Sequence, residues 1–392
     1  MQNNAEFLQM LREAVHEFVT REVVPYGYKV GEPLGEFPAA HLKKLFDLGV
    51  GSLVIPEKYG GGGASTEATS IVARELAYGW PSLHLVWSAN NSLAAYPLVE
   101  FGTDQQKQKY LPYLARGEMF GCFALTETNA GSDAASLQTK AVWKPQRKGS
   151  SKGVWVLNGS KIFITNPLNA SIAIVFARVV GDYNPRRRHS GITAFILDSN
   201  GPGLKKKGVQ ISKIEKWGFC AAPFCEIFFS DVEISEYDVL GKIGQGFNIA
   251  METLGNGRIN IAAQSVGIAR RALDEAVSYA KARQQFDRAL FDNQSVAHEL
   301  ARLHAQIDAA WELTLCASRL KDAGKPYAQK SSEAKWFASE IALQAALYAY
   351  RIYGGNGYAA DSVVMRILHD ALATVTYEGA SNIQLEVISK NL

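Results

Sequence analysis

Apolar residues recur at two different spacings along the 392 residues, and the change of spacing divides the chain into three regions. Up to about residue 118 they fall three or four apart, which predicts amphipathic helices. From about Phe120 to Val232, β-branched and aromatic residues alternate with polar ones, which predicts strands. From about Gly244 the helical spacing returns and continues to the C-terminus.

The central region carries a turn signal between two apolar runs. Residues 154–157 and 161–164 flank Asn158 and Gly159, the dipeptide that a type I′ turn prefers, so we predict a β-hairpin here. No helical segment separates the predicted strands, which favours an antiparallel sandwich or barrel over βαβ units. Three further strands are predicted at residues 172–176, 192–197 and 224–229.

The last region predicts four helices, with Gly255 and Gly257 as a weak point in the first. They cover residues 247–279, 300–320, 334–350 and 363–373. The fold class is therefore α+β. We predict an α-helical N-terminal domain at 1–119, a central antiparallel β domain at 120–232 and a helical C-terminal domain at 233–392.

Composition narrows the class of protein. A net charge of +3, without a basic helix that carries interleaved aromatic residues, gives no reason to expect a nucleic-acid partner. Four cysteines in 392 residues fit a reducing compartment, and their spacing does not fit a metal site. Neither a signal or transit segment nor an apolar run of about 18 residues is found, so we expect a cytoplasmic protein without a membrane span.

Glu378 is the first candidate for catalysis. It lies beside Gly379, just before a segment in which Ile383 and Val387 have helical spacing. We therefore expect this carboxylate on a loop that precedes a helix, where it can face a cavity, and we predict that it is a catalytic base. Taken alone, a glutamate in that position also fits a solvated or capping residue.

Four other segments could meet a cofactor. Residues 123–133 carry hydroxyls and small residues that could line a polar ring or a phosphate, and residues 161–166 offer an aromatic ring and a threonine to a flat group. Arg283 could bind a pyrophosphate, and the glycines of residues 354–357 allow a close approach of the backbone. Each segment alone also fits an ordinary turn, strand or surface position.

Taken in order, these segments resemble the acyl-CoA dehydrogenase family over nearly the whole chain. The resemblance rests on seven matches: Leu125-Thr126-Glu127 with Ala130-Gly131-Ser132-Asp133, Phe163-Ile164-Thr165-Asn166, Gly244-Gln245-Gly246-Phe247, Arg258 with Gly267-Ile268-Ala269, Arg283 with Phe286 and Gln294, Gly354 to Gly357, and Tyr377-Glu378-Gly379. The family fold is an α-helical N-terminal domain, a central β domain and a C-terminal four-helix bundle. This fold agrees with the three regions predicted above from the spacing of apolar residues.

The resemblance implies one FAD per subunit and desaturation of an acyl-CoA thioester to the trans-2-enoyl-CoA. Glu378 would take the α-proton, the β-hydride would pass to flavin N5, and an electron-transfer flavoprotein would receive the electrons. The residues implied to bind the cofactor are Phe123, Leu125, Thr126, Gly131, Ser132, Phe163, Thr165, Arg283, Phe286, Gln294, Gly354, Gly355, Gly357, Ala380 and Asn382. The residues implied to bind the acyl-CoA are Ser132, Arg258, Tyr377 and Gly379.

The resemblance also bears on partners and alternatives. Arg283 and the turn at residues 354–357 would reach FAD bound by a neighbouring subunit, and the family is commonly tetrameric. Some relatives place the base immediately before the position of Arg258, where this chain has Gly257, so Glu378 is the remaining candidate. A flavin-dependent oxidase or monooxygenase of the same fold and a non-catalytic acyl-CoA-binding subunit remain alternatives. Between Leu76 and Ala115 the chain has no arginine for a dicarboxylate tail, only His84, and chain length stays open.

Overall fold

The computed structural model describes residues 2–392 apart from residues 28–35, 148, 149, 151, 185 and 200. Helices, then a sheet, then helices follow one another along the chain. The N-terminal helices are α1 (Gln2–Phe18), α2 (Val24–Gly27), α3 (Ala39–Asp47), α4 (Thr66–Gly79), α5 (Pro81–Ser88), α6 (Tyr96–Phe101) and α7 (Asp104–Ala115). The strands are β1 (Gly121–Ala124), β2 (Lys140–Pro145), β3 (Gly153–Thr165), β4 (Ile172–Val179), β5 (Ile192–Asp198), β6 (Val209–Lys213), β7 (Phe224–Ser235) and β8 (Val239–Leu240).

The C-terminal region continues with α8 (Gly246–Ala282), a two-stranded ribbon and five helices. The ribbon consists of β9 (Gln284–Gln285) and β10 (Arg288–Ala289), and the helices are α9 (Gln294–Asp322), α10 (Ala328–Tyr353), α11 (Gly355–Tyr358), α12 (Val363–Thr374) and α13 (Ser381–Ser389). The predicted domain limits at 119 and 232 stay predictions.

The N-terminal helices bury the stripe that the sequence predicts. Val15, Val19 and Val23 are fully buried in the core that α1 shares with α4. A capping box begins α7: the Thr103 hydroxyl accepts from the Gln106 N–H at 3.2 Å, and the Gln106 side chain accepts from the Thr103 N–H at 3.0 Å. Two π-helical segments, Val19–Val23 and Ala89–Ala95, were not predicted.

The central region is one twisted sheet in the order β6-β7-β3-β2-β4-β5-β8, with β1 paired to β4. The predicted antiparallel pairing holds for most neighbours. Two pairings, β1 with β4 and β2 with β4, are parallel. Parallel neighbours cannot be joined by a tight turn, and in both cases at least one other strand lies between the two along the chain.

The prediction of a β-hairpin across Asn158 and Gly159 is wrong. β3 runs unbroken through this dipeptide, because β2 pairs on one side and β7 on the other. The register with β7 shifts at this point, and Gly159 adopts a φ of 145°. The Asn158 side chain donates to the Asp231 carboxylate at 3.0 Å and accepts from its N–H at 2.9 Å. The dipeptide therefore forms a β-bulge and not a turn.

Four long helices, α8, α9, α10 and α12, form the C-terminal bundle, and α4 packs against α8 from the N-terminal region. The predicted weak point in α8 does not interrupt the helix, because Gly255 and Gly257 are both buried under neighbouring elements. Within the described ranges, no helix combines the length and the apolar character that crossing a membrane requires.

Candidate active site

Glu378 lies on the short loop between α12 and α13, as the sequence predicts. Both Glu378 and Gly379 adopt positive φ, 48° and 91°. A glutamate in this region of φ is strained, so the surrounding structure must hold it there. The Gln384 side chain donates to the carbonyl oxygens of Glu378 at 3.1 Å and Gly379 at 2.7 Å. Lys335 Nζ donates to the same Gly379 carbonyl at 2.8 Å.

The carboxyl group of Glu378 lies directly against α8. A Cβ atom added to Gly257 would lie 2.1 Å from Glu378 Oε2, a distance that real Cβ atoms do not show. Only glycine therefore leaves room for the carboxyl group at this position of α8. The carboxyl group at position 378 and any side chain at position 257 compete for the same space, so glycine at 257 is what allows this carboxyl group to lie against α8.

Two cations oppose the effect of burial on this carboxyl. Burial raises the pKa of Glu378 from 4.5 to about 7, and the charges of Lys335 and Arg258 act in the other direction. Burial likewise lowers the pKa of Lys335 to about 8. Among the described residues, Glu378 Oε2 is buried without a hydrogen-bond partner. A carboxyl group with a pKa near neutrality and a free oxygen can act as a general base.

The residues predicted to contact the substrate divide into two groups. Tyr377 and Gly379 flank the base, and the Tyr377 hydroxyl donates to Gln264 on α8. Arg258 is half-buried near Glu378 and donates to Ser332 on α10 at 3.2 Å. Ser132 lies on an exposed turn of the β region, and no contact in the described part of the chain joins it to Glu378. We define the base site as Glu378, Gly379, Gly257, Lys335 and Gln384.

The two segments predicted to line a flat cofactor meet at the sheet. The Ile162 N–H donates to the Thr126 carbonyl at 2.9 Å, and fully buried Lys161 donates to the Leu125 carbonyl at 2.9 Å. Lys161 also pairs with Glu127 at 2.7 Å, and burial lowers its pKa to about 8. These two ionic residues, to which the sequence analysis gave no role, join the segments.

Around this contact the surface suits a flat ring with phosphates. Phe163 has φ of 62° at a β-bulge, is 54% exposed and stacks on Phe224 at 5.4 Å with an interplanar angle of 10°. Phe123 is half-buried beside the Phe176 ring, and an added Cβ at exposed Gly131 would meet no atom within 4 Å. Thr165 is half-buried at the end of β3. Aromatic rings and open backbone of this kind fit FAD.

The remaining predicted cofactor residues lie elsewhere. Arg283 and Phe286 follow α8, and Phe286 is 94% exposed. Gln294 is exposed at the start of α9. We define the exposed end as Arg283, Phe286, Gln294, Gly354 and Gly355, together with Gly357, which is buried beside them. The Asn356 side chain donates to the Tyr279 hydroxyl at 2.8 Å, which joins the glycine turn to the end of α8.

Two predicted cofactor residues lie shortly after Glu378 in the sequence. Ala380 precedes α13 and exposed Asn382 lies in its first turn. Gly354 and Gly355 have no atom within 4 Å of an added Cβ, whereas Gly357 is buried. Within the residues that the structure describes, no group of three or more His, Cys, Asp or Glu side chains could hold a metal ion.

Known proteins resemble the chain in all three regions. The family model for the N-terminal domain of acyl-CoA dehydrogenase matches residues 5–118, the middle domain matches residues 122–232 and the C-terminal domain matches residues 244–392. An acyl-CoA dehydrogenase of Bacillus subtilis (strain 168) is 41% identical over 98% of this chain and 97% of its own length.

Solved structures of similar sequence have the same fold. Butyryl-CoA dehydrogenase from Megasphaera elsdenii superposes with a TM-score of 0.89 at 37% identity, with 98% of this chain and 97% of that chain covered. A chain from a study of the electron transferring flavoprotein of Acidaminococcus fermentans superposes with a TM-score of 0.90 at 37% identity and the same coverage.

Proposed function

The chain belongs to the acyl-CoA dehydrogenase family, whose members are FAD-dependent oxidoreductases, and from this premise we propose that it desaturates an acyl-CoA thioester between Cα and Cβ with Glu378 as the base. The observation that carries the proposal is the carboxyl group of Glu378, held against Gly257 with a pKa of about 7 and a free oxygen.

The base site performs the proton transfer. The carboxylate of Glu378 accepts the α-proton of the thioester, and its backbone N–H stabilises the negative charge that develops on the thioester oxygen. FAD, when bound, supplies the acceptor for the β-hydrogen and its electron pair, so that the Cα–Cβ double bond forms. Gln384 and Lys335 hold the strained loop in place while the proton moves.

The residues that would hold FAD fall on two surfaces. Leu125, Thr126 and Phe163, with Phe123, Thr165 and the turn at Gly131 and Ser132, would face the ring system and its phosphates, followed by Ala380 and Asn382. The exposed end would contact the adenine half of an FAD bound by a neighbouring subunit. A 94% exposed phenylalanine in a single chain supports such a contact.

Partners follow from the same reasoning. Contact between the exposed end and a neighbouring FAD requires at least a dimer, and we propose a homotetramer built as a dimer of dimers. The electron acceptor is an electron-transfer flavoprotein, in line with the Acidaminococcus fermentans structure. The relation to butyryl-CoA dehydrogenase supports a short acyl chain. A cytoplasmic location stays a prediction.

Anaerobic titration with acyl-CoA thioesters tests this function. The visible absorbance of the flavin should bleach with one class of acyl-CoA, and Glu378→Gln should slow bleaching by about 10²–10⁴-fold while FAD stays bound. Glu386→Gln, on an exposed glutamate of α13, is the matched control and should behave as wild type.

Three other outcomes would contradict the proposal. Full activity in Glu378→Gln would show that Glu378 is not the base. A yellow protein that no acyl-CoA bleaches would favour an oxidase or monooxygenase, whose reduced flavin reacts rapidly with oxygen. A protein that cannot be reconstituted with FAD would favour a non-catalytic acyl-CoA-binding subunit.

A further inference from the structure

Three buried polar side chains near the base each keep one nitrogen without a partner. Among the described residues, no hydrogen bond reaches His84 Nδ1, Asn260 Nδ2 or Gln264 Nε2. His84 and Gln264 are fully buried and Asn260 is 4% exposed. Buried polar groups are nearly always hydrogen-bonded, so three such atoms on two facing helices need a partner, which a polar ligand group or a water molecule can supply.

These side chains continue the surface on which the base rests. Gly257, Asn260 and Gln264 are three and seven residues apart on α8 and share one face of it. Gly257 contacts the Glu378 carboxyl, and Gln264 accepts from the hydroxyl of Tyr377. At about 1.5 Å of rise per residue, Asn260 and Gln264 lie about 4.5 and 10.5 Å beyond Gly257 along the helix axis. An acyl chain held at Glu378 and running along this face of α8 would pass them.

The hydrogen bonds within the group determine what it can recognise. With the Asn260 amide in the orientation that the structure gives it, His84 Nε2 lies 2.8 Å from the amide oxygen Oδ1 and carries the proton. Burial lowers the pKa of His84 to about 3, so the ring is neutral and Nδ1 is an acceptor. Asn260 Nδ2 and Gln264 Nε2 are donors. A ligand group that both accepts and donates matches this set, and a hydroxyl group is the smallest one.

A cavity lies beside one member of this group, Asn260. This cavity, of about 140 Å³, is also lined by Ser92, Tyr96 and Lys321. The Lys321 ammonium group already donates to the Asn256 side chain at 2.6 Å. The three unpartnered nitrogens themselves belong to uncharged side chains. A neutral oxygen therefore suits them better than a carboxylate.

We propose that the preferred acyl group carries a hydroxyl group beyond the two reacting carbons, and that Asn260, His84 and Gln264 recognise it. This inference rests on the proposed function. An unsubstituted acyl chain would leave the three atoms unpaired against hydrocarbon. Sites built to bind a substrate hydroxyl discriminate strongly against the analogue that lacks it, so we expect a ratio of kcat/KM of at least about 100.

The wild-type protein with bound FAD supplies the main test. Bleaching rates are measured with hexanoyl-CoA, with its 4-, 5- and 6-hydroxy derivatives and with adipyl-CoA as the charged analogue. We expect one hydroxy derivative to exceed hexanoyl-CoA by at least about 100-fold and adipyl-CoA to be poor. Equal rates with hexanoyl-CoA overturn the inference and leave the proposed function intact. A preference for adipyl-CoA overturns it in favour of a charged tail. Bleaching by none of them and by no other acyl-CoA overturns both.

Two variants test whether Asn260 is responsible for a preference for the hydroxy derivative. Asn260→Leu removes the amide at similar size and should reduce the ratio of kcat/KM for the hydroxy derivative to kcat/KM for hexanoyl-CoA at least about tenfold. Ser265→Ala is the control on the same helix, since the Ser265 hydroxyl is already satisfied by the Ile261 carbonyl at 2.8 Å. An unchanged preference in folded Asn260→Leu contradicts the assignment. The wild-type comparison decides the question even where this variant fails to fold.

Discussion

The base site and the exposed end are built in opposite ways. At the base site a strained loop is held by side chains of the same chain, and Gly257 leaves room for one carboxyl group only. At the exposed end Phe286 is 94% exposed, and Gly354 and Gly355 face open space. The first region is complete within one chain. We propose that the second contacts another subunit and the FAD bound there.

The largest expected effect comes from filling the space at Gly257. Gly257→Ala would place a Cβ 2.1 Å from Glu378 Oε2 and displace the carboxyl, so kcat/KM should fall by about 100-fold or more. Gly255→Ala is the matched control on the same helix, because its Cβ would lie 3.4 Å from a tyrosine hydroxyl. Steady-state kinetics decide the point, and equal losses in both variants would contradict this view of the base site.

The second expected effect concerns stability and pH. Glu378 holds its proton up to about pH 7 in the folded chain but only to about 4.5 in the unfolded chain, so the folded chain binds more protons between these values. Its contribution to stability is present below pH 4.5 and is lost as the pH rises through 7.

Glu378→Gln should therefore be more stable than wild type at pH 8, by about 3 kcal/mol for a shift of about 2.5 pKa units at roughly 1.4 kcal/mol per unit, and the gain should shrink toward pH 5. Urea unfolding at the two pH values measures it. The same gain at both pH values would show that burial does not raise the pKa of this carboxyl.

A smaller effect is expected from the buried cation. Lys335→Met removes the donor to the Gly379 carbonyl and a charge that favours ionised Glu378. The pKa of the base in the profile of kcat/KM should rise by about one unit, with a loss of about tenfold below it. Lys330→Met, on an exposed salt bridge in the first turn of α10, is the control. An unshifted pH profile in Lys335→Met would leave Lys335 with a structural role only.

The smallest expected effect tests the exposed end. Phe286→Ala should weaken FAD binding by about 2–10-fold, the range expected for one lost aromatic contact, and more on dilution as subunits separate. The free energy of unfolding should change by less than about 0.5 kcal/mol, since the ring touches little of its own chain. Tyr237→Ala, another exposed ring, should leave FAD affinity unchanged. If the FAD affinity of Phe286→Ala and of Tyr237→Ala does not change with protein concentration, this result would contradict a contact between Phe286 and the FAD of a neighbouring subunit.

The order of the elements and the position of Glu378 on a loop before a helix could be predicted because local patterns encode them. Helical and alternating spacing indicated the three regions, and the resemblance around Tyr377-Glu378-Gly379 indicated the base. Asn158 and Gly159 misled the prediction, since a residue that allows positive φ serves a bulge as well as a turn. Only the strands on both sides decide between the two, and they are distant in sequence.

The supporting residues of the site were missed for a similar reason. Lys335 lies in α10, and nothing near it in sequence shows that it reaches the Gly379 carbonyl. Its one signal is a charge on a helix face whose other members, Ala334, Ala338 and Ala342, are buried. Lys161 and Glu127 belonged to recognised motifs, yet their pairing depends on how two strands meet.

The most direct test of the base site is the pH dependence of flavin bleaching by an acyl-CoA in the wild-type protein. Because only the carboxylate form of Glu378 accepts a proton, the second-order rate constant should rise with pH and level off above an apparent pKa of about 7. The rise should be absent in Glu378→Gln. A rise centred near the ordinary glutamate value of 4.5, or one that persists in the variant, would show that another group is the base.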